Sequence, residues 1–275
     1  MMRFLLVFIL AALGPGMLRA DTVVIMPFGD SITMGYHEQP PGTGGYRGPL
    51  GEALTAAGID FKFVGATTSN SDKLPPAQQH HNGFSGYPIS AMLRNLDASY
   101  AYNTDNSGGA AGNTGGFWVT NPGGQGPLQP DIILLMAGTN EFLKSDANGG
   151  VSSHPSDQRA AATEERMTKL LDWFKINCPK AKIYVATLLP VFYQFRDGHD
   201  VRIEEYNAWL RTYVPTLGAN FQVVDMFPLF VTDGNLNQAL FAPKDVHPNH
   251  EGYAVLAKAW ADAIIPPLKA TPAKP

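Results

Sequence analysis

Short apolar runs recur along the chain and are separated by longer segments in which apolar residues follow helical spacing. An apolar run bounded by turn-forming residues is typical of a strand that is covered on both faces. Five such runs predict strands, at residues 23–28, 61–65, 131–136, 182–189 and 221–225. Helical spacing predicts helices between and after these runs, near residues 51–57, 89–96, 158–176, 203–213 and 251–264.

The alternation of strands and helices predicts how these elements assemble. Strands joined by helices form a parallel sheet with right-handed connections, and the helices cover both of its faces. The predicted fold class is therefore α/β, a three-layer α/β/α sandwich around a five-stranded parallel sheet. We expect one domain over residues 21–270 and a short tail at residues 271–275.

The first twenty residues have the pattern of a secretory signal peptide. Arg3 precedes an apolar run, Gly14-Pro15-Gly16 would break a helix, and small Ala20 suits a cleavage position. A retained anchor helix is the alternative, although the run is shorter than the roughly 20 apolar residues that span a bilayer. We therefore expect a secreted or periplasmic protein with no membrane contact after cleavage.

Composition narrows the classes of function. The 275 residues are 44% hydrophobic and 16% charged, which is ordinary for a globular protein. The formal net charge of −4 does not predict the basic surface that binding to phosphates requires, so we expect no nucleic-acid partner. Cys178 is the single cysteine, which excludes an internal disulfide and favours a small buried apolar residue.

A long segment, residues 100–128, is rich in Gly, Asn, Ser and Thr and shows little apolar periodicity. We predict a surface loop, and loops of this length within a compact domain are usually functional or mobile. For Trp118 within it, a position at the rim of a substrate cleft and simple packing both remain open. Trp118, Tyr87 and Tyr36 are the candidate aromatic side chains on which a sugar ring could stack.

Polar residues follow the predicted strands, and the carboxyl ends of parallel strands meet at one edge of a sheet, where ligands bind. They are Gly29-Asp30-Ser31, Gly86, Gly138-Thr139-Asn140 and, well beyond the fifth strand, Asp245-Val246-His247. A serine hydroxyl becomes a nucleophile when a base accepts its proton, so Ser31 with His247 suffices for acyl transfer and requires no cofactor. The backbone N–H groups of Ser31 and Gly86 and the side chain of Asn140 could hold the developing oxyanion.

Taken in order, these segments resemble the conserved blocks of the SGNH (GDSL-like) hydrolase family: Gly29-Asp30-Ser31-Ile32-Thr33, Gly83-Phe84-Ser85-Gly86, Gly138-Thr139-Asn140 and His247-Pro248-Asn249. The pairs Tyr46-Arg47 and His81-Asn82 are similar to carbohydrate esterases of the acetylxylan-esterase kind. The resemblance implies a flavodoxin-like SGNH hydrolase fold. It also implies Ser31 as nucleophile, His247 as base, and Gly86 and Asn140 as oxyanion donors.

Two positions depart from that family's pattern. The acid that orients the histidine usually stands three residues before it, where this chain has Lys244, and Asp245 lies only two before. We favour Asp245 because its path to the ring is short, with Asp225, another acid or a backbone carbonyl as the alternatives. The second departure is Glu141, where an aspartate commonly follows the asparagine.

The other histidines and a second serine have simpler interpretations. His80-His81 and the spacing of His247 and His250 do not fix a third metal ligand, so we predict no metal site. Ser85 lies in a sequence like a nucleophile elbow, but Tyr87 occupies the position of the last glycine, so Ser85 is a poor rival to Ser31.

The predicted function is a secreted serine esterase that removes short acyl groups, acetyl above all, from carbohydrates through a Ser-His-Asp mechanism. Its predicted partner is a small or polymeric ester substrate. Two alternatives remain open: a lipid-directed esterase or lysophospholipase, and a carbohydrate-binding protein that has lost catalysis because Lys244 replaces the usual acid.

Overall fold

A computed structural model describes residues 22–96, 117–122, 126–143, 159–191 and 199–270. The predicted signal peptide, most of the predicted loop at residues 100–128 and the tail at residues 271–275 lie outside these ranges. Within them, no helix combines the length and the apolar character needed to cross a membrane.

The sheet is parallel throughout, and it confirms the predicted α/β class. Its six strands are β1 (Val23–Gly29), β2 (Phe61–Phe63), β3 (Asn82–Gly83), β4 (Ile132–Met136), β5 (Lys182–Ala186) and β6 (Phe221–Val224). The five longer strands run in the order β2-β1-β4-β5-β6. Counted along the chain this order is 2-1-3-4-5, the flavodoxin-like arrangement.

The sixth strand, β3, was not predicted. It pairs with the last two residues of β1, Phe28 and Gly29, beyond the point where β2 ends. A two-residue strand is too short to give a hydrophobic pattern in the sequence. Its consequence is local, because it fixes the segment before Gly86 beside the carboxyl end of β1.

Helices cover both faces of the sheet. They are α1 (Ser31–Met34), α2 (Arg47–Ala56), α3 (Ile89–Arg94), α4 (Thr139–Phe142), α5 (Arg159–Asn177), α6 (His199–Tyr213) and α7 (His250–Ala270). Alternate strand residues point to opposite faces, so Met26 and Phe28 pack with α3, α5 and α6, whereas Ile25 packs with α2 and α7. These two apolar clusters confirm the three predicted layers.

A small antiparallel hairpin, β7 (Val231–Thr232) and β8 (Asn235–Leu236), follows the last sheet strand. It leads to a 3₁₀ turn at Gln238–Leu240 and then to the segment before α7, where Phe241 and Pro248 form an isolated bridge. That bridge closes a short loop, residues 241–248, which contains the acid and the histidine singled out by the sequence.

Candidate active site

Ser31 begins helix α1 directly after β1. The Asp30 carboxylate caps this helix by accepting a hydrogen bond from the Ile32 N–H at 3.0 Å. Gly29 makes the turn possible, because a Cβ at this position would lie 2.1 Å from the carbonyl oxygen of Met136 on the neighbouring strand. The serine hydroxyl is thereby fixed at the carboxyl edge of the sheet.

His247 reaches that edge from the far end of the chain. Its loop is closed by two backbone hydrogen bonds, from Ala242 N–H to the His247 carbonyl at 2.9 Å and from Asp245 N–H to the Ala242 carbonyl at 3.2 Å. The His247 Nε2 atom lies 2.7 Å from Ser31 Oγ, although 216 residues separate the two positions. The structure therefore brings the predicted nucleophile and the predicted base into hydrogen-bond contact.

Asp245 lies on the other side of the same imidazole. Its Oδ1 is 2.5 Å from His247 Nδ1 and also accepts the Val246 and His247 backbone N–H groups, at 2.6 and 3.2 Å. Lys244 adopts a left-handed conformation, with φ of 57°, and this turn lets an acid only two residues before the histidine reach its ring.

Asp225, the alternative acid, is engaged elsewhere. Arg211 donates two hydrogen bonds to its carboxylate, at 2.8 and 2.9 Å, and the Thr187 hydroxyl donates a third at 2.9 Å. Of the two acids weighed from the sequence, the structure brings Asp245 to the histidine.

The charge of Asp245 is maintained by its hydrogen bonds. Partial burial opposes ionisation, but the hydrogen bond and charge of His247 and the two backbone N–H groups outweigh it and lower the pKa of Asp245 to about 2. A carboxylate with so low a pKa remains ionised at any pH where the histidine can act as a base.

Asn140 links the segments that carry the other two predicted oxyanion donors. Its Nδ2 donates to the Tyr87 carbonyl at 3.2 Å and lies 3.5 Å from Asp30 Oδ2. Tyr87 follows Gly86 and Asp30 precedes Ser31, so the side chain of Asn140 lies between the two backbone segments. Gly86 has a positive φ of 76°, a conformation in which glycine is favoured.

Glu141, the second departure from the family pattern, supports this arrangement. Its side chain is buried and accepts a hydrogen bond from the Ile89 N–H at 3.0 Å. It also forms an ion pair with Arg166 at 2.9 Å. The glutamate thus ties α4 to the start of α3 and to α5. The longer side chain is accommodated, and the loop that carries Asn140 is anchored on two sides.

Comparison with known proteins identifies the family. Residues 28–255 match the model of the GDSL-like lipase/acylhydrolase family, which is most of the chain. The chain belongs to this family. The predicted family is confirmed.

One relative of this GDSL-like family member is an esterase by name. A multidomain esterase from Ruminococcus flavefaciens is 30% identical over 267 residues, which cover 92% of this chain and 30% of that protein. The chain therefore spans about a third of the length of this relative.

Solved structures support the same fold. A carbohydrate esterase family 3 protein from Talaromyces cellulolyticus has a TM-score of 0.60 at 22% identity, covering 91% of this chain and all (100%) of that one. A family 3 carbohydrate esterase from Clostridium thermocellum has a TM-score of 0.60 at 24% identity, covering 90% and 98% of the two chains.

The prediction that Trp118 and Tyr87 contact the substrate is wrong. Trp118 is fully buried, and its ring stacks on Phe84 with centroids 3.9 Å apart. Tyr87 is 1% exposed and packs against the same two rings. Neither ring has a free face for a sugar, so both act in packing. The third candidate, Tyr36, is 42% exposed, and its ring lies 4.9 Å from that of His247.

The histidines considered as metal ligands each contact another group of the protein. His80 Nδ1 and His81 Nε2 contact backbone carbonyls, and His250 pairs with Glu38. Among the described residues, a different group of three ligand atoms lies within 4.8 Å: those of His37, Asp245 and His247. His37 lies in a polar segment where solvent exposure is the expectation, and sequence reasoning did not single it out. Its Nε2 is nevertheless 3.0 Å from Asp245 Oδ2.

Proposed function

We propose that this protein is a serine esterase that removes acetyl groups from carbohydrates, with Ser31 as nucleophile, His247 as general base and Asp245 as the acid that orients the base. One observation carries the proposal. A continuous chain of contacts runs from Ser31 Oγ to His247 Nε2 at 2.7 Å and from His247 Nδ1 to Asp245 at 2.5 Å. This geometry is that of a catalytic triad.

The first half-reaction transfers the acyl group to the enzyme. Ser31 Oγ attacks the ester carbonyl carbon while its proton moves to His247 Nε2, and the carbonyl oxygen becomes an oxyanion. The Asn140 amide and the backbone N–H groups of Ser31 and Gly86 stabilise that oxyanion. The proton on Nε2 then passes to the departing sugar oxygen as the ester bond breaks, which releases the sugar hydroxyl and leaves acyl-Ser31.

The second half-reaction restores the enzyme by the same route. Water attacks the acyl carbon, and its proton moves to His247 Nε2. Collapse of the second tetrahedral intermediate breaks the bond to Ser31 Oγ, which takes the proton back, and the free carboxylic acid leaves. Asp245 stays ionised throughout and stabilises the imidazolium that forms twice in the cycle.

Preference for a carbohydrate substrate is supported by the names of the two carbohydrate esterases of similar fold and by Tyr36. The exposed aromatic ring of Tyr36 lies beside His247 and provides an apolar face on which a sugar ring could stack. Lys244 in the usual position of the acid suggested a protein without catalysis. The contact of Asp245 with His247 argues against that alternative.

Acetate release from acetylated xylan, compared with hydrolysis of long-chain esters, tests the substrate. We expect release of acetate that is lost in Ser31→Ala, and at least tenfold slower turnover of long-chain than of acetyl esters. The Ser85→Ala variant is the matched control and should retain activity. Faster turnover of long-chain esters would favour the lipid-directed alternative, and folded protein without any ester hydrolysis would contradict the proposal.

The proposal includes export, supported by the pattern of Arg3, the apolar run and Ala20 within the first twenty residues. Expression with these residues, followed by sequencing of the amino terminus of the protein outside the cell, tests this part. Cleavage after Ala20 is expected, and intact protein retained in the cell would contradict it.

A further inference from the structure

Asp245 is contacted by two histidines, one at each carboxylate oxygen. His247 Nδ1 approaches Oδ1 at 2.5 Å, and His37 Nε2 approaches Oδ2 at 3.0 Å. The two imidazole rings have their centroids 5.4 Å apart. A carboxylate only accepts and an imidazole nitrogen can donate, so this is a polar contact between two complementary groups.

The backbone around His37 is fixed on both sides. The Tyr253 hydroxyl donates to the Tyr36 carbonyl at 2.7 Å, and the buried Glu38 side chain accepts from His250 Nδ1 at 3.2 Å. Tyr253 and His250 both belong to α7, the helix that follows the His247 loop. His37 itself has a left-handed φ of 62°, which aims its ring across the loop.

We propose that His37 is a positioning residue that holds the Asp245 carboxylate in the orientation in which it serves His247. This inference rests on the proposed function of the same site. The hydrogen bonds of His247 and of the two backbone N–H groups all converge on Oδ1, and His37 anchors the opposite oxygen. With both oxygens engaged, the carboxylate cannot rotate away from the imidazole.

The chain has a particular need for such a restraint. Its acid stands two residues before the histidine and reaches the ring through the left-handed turn at Lys244. The Asp245 side chain is also about a quarter (26%) exposed, so water competes for its oxygens. The His37 ring, in polar contact with Oδ2 at 3.0 Å, excludes one of these water positions and restrains the carboxylate.

Three substitutions separate the polar contact with Asp245 from other effects of the ring. In His37→Gln the side-chain amide nitrogen can replace Nε2, so the polar contact is retained. In His37→Asn the amide is too short to reach Asp245, although asparagine tolerates the left-handed backbone well. His37→Ala removes the group altogether. His80→Asn, at a histidine whose Nδ1 contacts the Gly65 carbonyl, is the control.

The first readout is steady-state kinetics on an aryl acetate with the full chain. We expect kcat to fall about tenfold in His37→Asn and His37→Ala with little change in KM, and to recover in His37→Gln to within about threefold of the unsubstituted protein. A fall shared equally by all three variants, or by none, overturns the inference. Thermal unfolding of each variant checks that the protein is folded.

The second readout is the proton of the His247–Asp245 hydrogen bond, observed by NMR as a far-downfield resonance. We expect this resonance in the unsubstituted protein and in His37→Gln, and we expect it to broaden or disappear in His37→Asn as the carboxylate loosens. An unchanged resonance in His37→Asn overturns the inference. The resonance requires no substrate, so absence of hydrolysis would end the proposed function while the role of His37 is still read directly.

Discussion

Two segments flank the reacting pair of Ser31 and His247, and each carries an acid. Folding shifts the pKa values of these two acids in opposite directions. Asp30 precedes the serine, is fully buried, and its pKa is raised to about 6 because burial removes water from the carboxylate. Asp245 precedes the histidine, is partly open to solvent, and its pKa is lowered to about 2 by hydrogen bonds and the charge of His247 despite some burial.

The difference shows how one edge of a sheet serves two purposes. Beside the histidine, a fixed negative charge is useful because the imidazolium forms in the reaction. Beside the serine, the role of the Asp30 carboxylate is structural, since it caps α1 and contacts Asn140.

The comparison is tested most strongly by removing each charge in turn. Asp245→Asn should lower kcat by about 10³–10⁴, because the amide cannot hold the productive tautomer of His247. Asp30→Asn should retain kcat within about tenfold, because its amide oxygen can still accept from the Ile32 N–H. Initial rates on an aryl acetate measure both. Equal losses in the two variants would remove the distinction between the acids.

Asn140 tests whether the Asp30 side of the site supplies the oxyanion donors. Asn140→Ala should lower kcat by about 10²–10³ with little effect on KM, the usual loss for one such donor. Asn177→Ala, at an exposed residue at the end of α5, is the control. Undiminished turnover by Asn140→Ala would exclude this side chain from the oxyanion site.

The two acids should also give opposite dependence of stability on pH. A carboxyl whose pKa is raised by folding binds its proton more tightly in the folded state, so Asp30 costs stability above about pH 6 and this cost disappears as pH falls toward 4. The cost is on the order of 3 kcal/mol at pH 8. The stabilisation from Asp245 is present above pH 4 and is lost only as pH falls toward 2.

Urea unfolding between pH 4 and 8 measures this difference. Relative to the unsubstituted protein, Asp30→Asn should gain stability as pH rises from 4 to 6 and then level off, whereas Asp245→Asn should show no such gain. Parallel profiles for the two variants across this range would contradict the assigned pKa directions.

The smallest expected effect concerns the exposed ring beside the histidine. Tyr36→Ala should raise KM for an acetylated xylo-oligosaccharide about fivefold, because stacking on an aromatic face contributes about 1 kcal/mol, and should leave KM for a small aryl acetate nearly unchanged. Tyr36→Phe is the matched control. An equal change of KM for both substrates would show that Tyr36 acts on the site rather than on the sugar.

The parts of this site that were predictable share a physical reason. Buried strands give apolar runs, and Ser31, Asn140 and His247 are polar residues at positions where such runs end or where the family blocks occur. Trp118 was misjudged because its glycine-rich surroundings predict exposure, whereas its packing partner Phe84 lies more than thirty residues earlier in sequence.

Asp245 was the acid favoured from the sequence, but the contact of His37 with it and the turn by which it reaches His247 could not be predicted. Both depend on a left-handed backbone at His37 and Lys244, and neither residue type indicates that conformation in a sequence. The contact between His37 and Asp245 joins segments about two hundred residues apart, and it forms only when the segment after α1 lies beside the loop before α7.

The central claim is that Ser31 is a nucleophile activated by His247 and Asp245, and covalent labelling tests it most directly. Incubation with a fluorophosphonate, followed by peptide mass spectrometry, should show one adduct on Ser31, formed at least a hundredfold more slowly in Asp245→Asn and absent from Ser31→Ala. Folded protein that takes up no label, or that is labelled on Ser85 instead, would contradict the account.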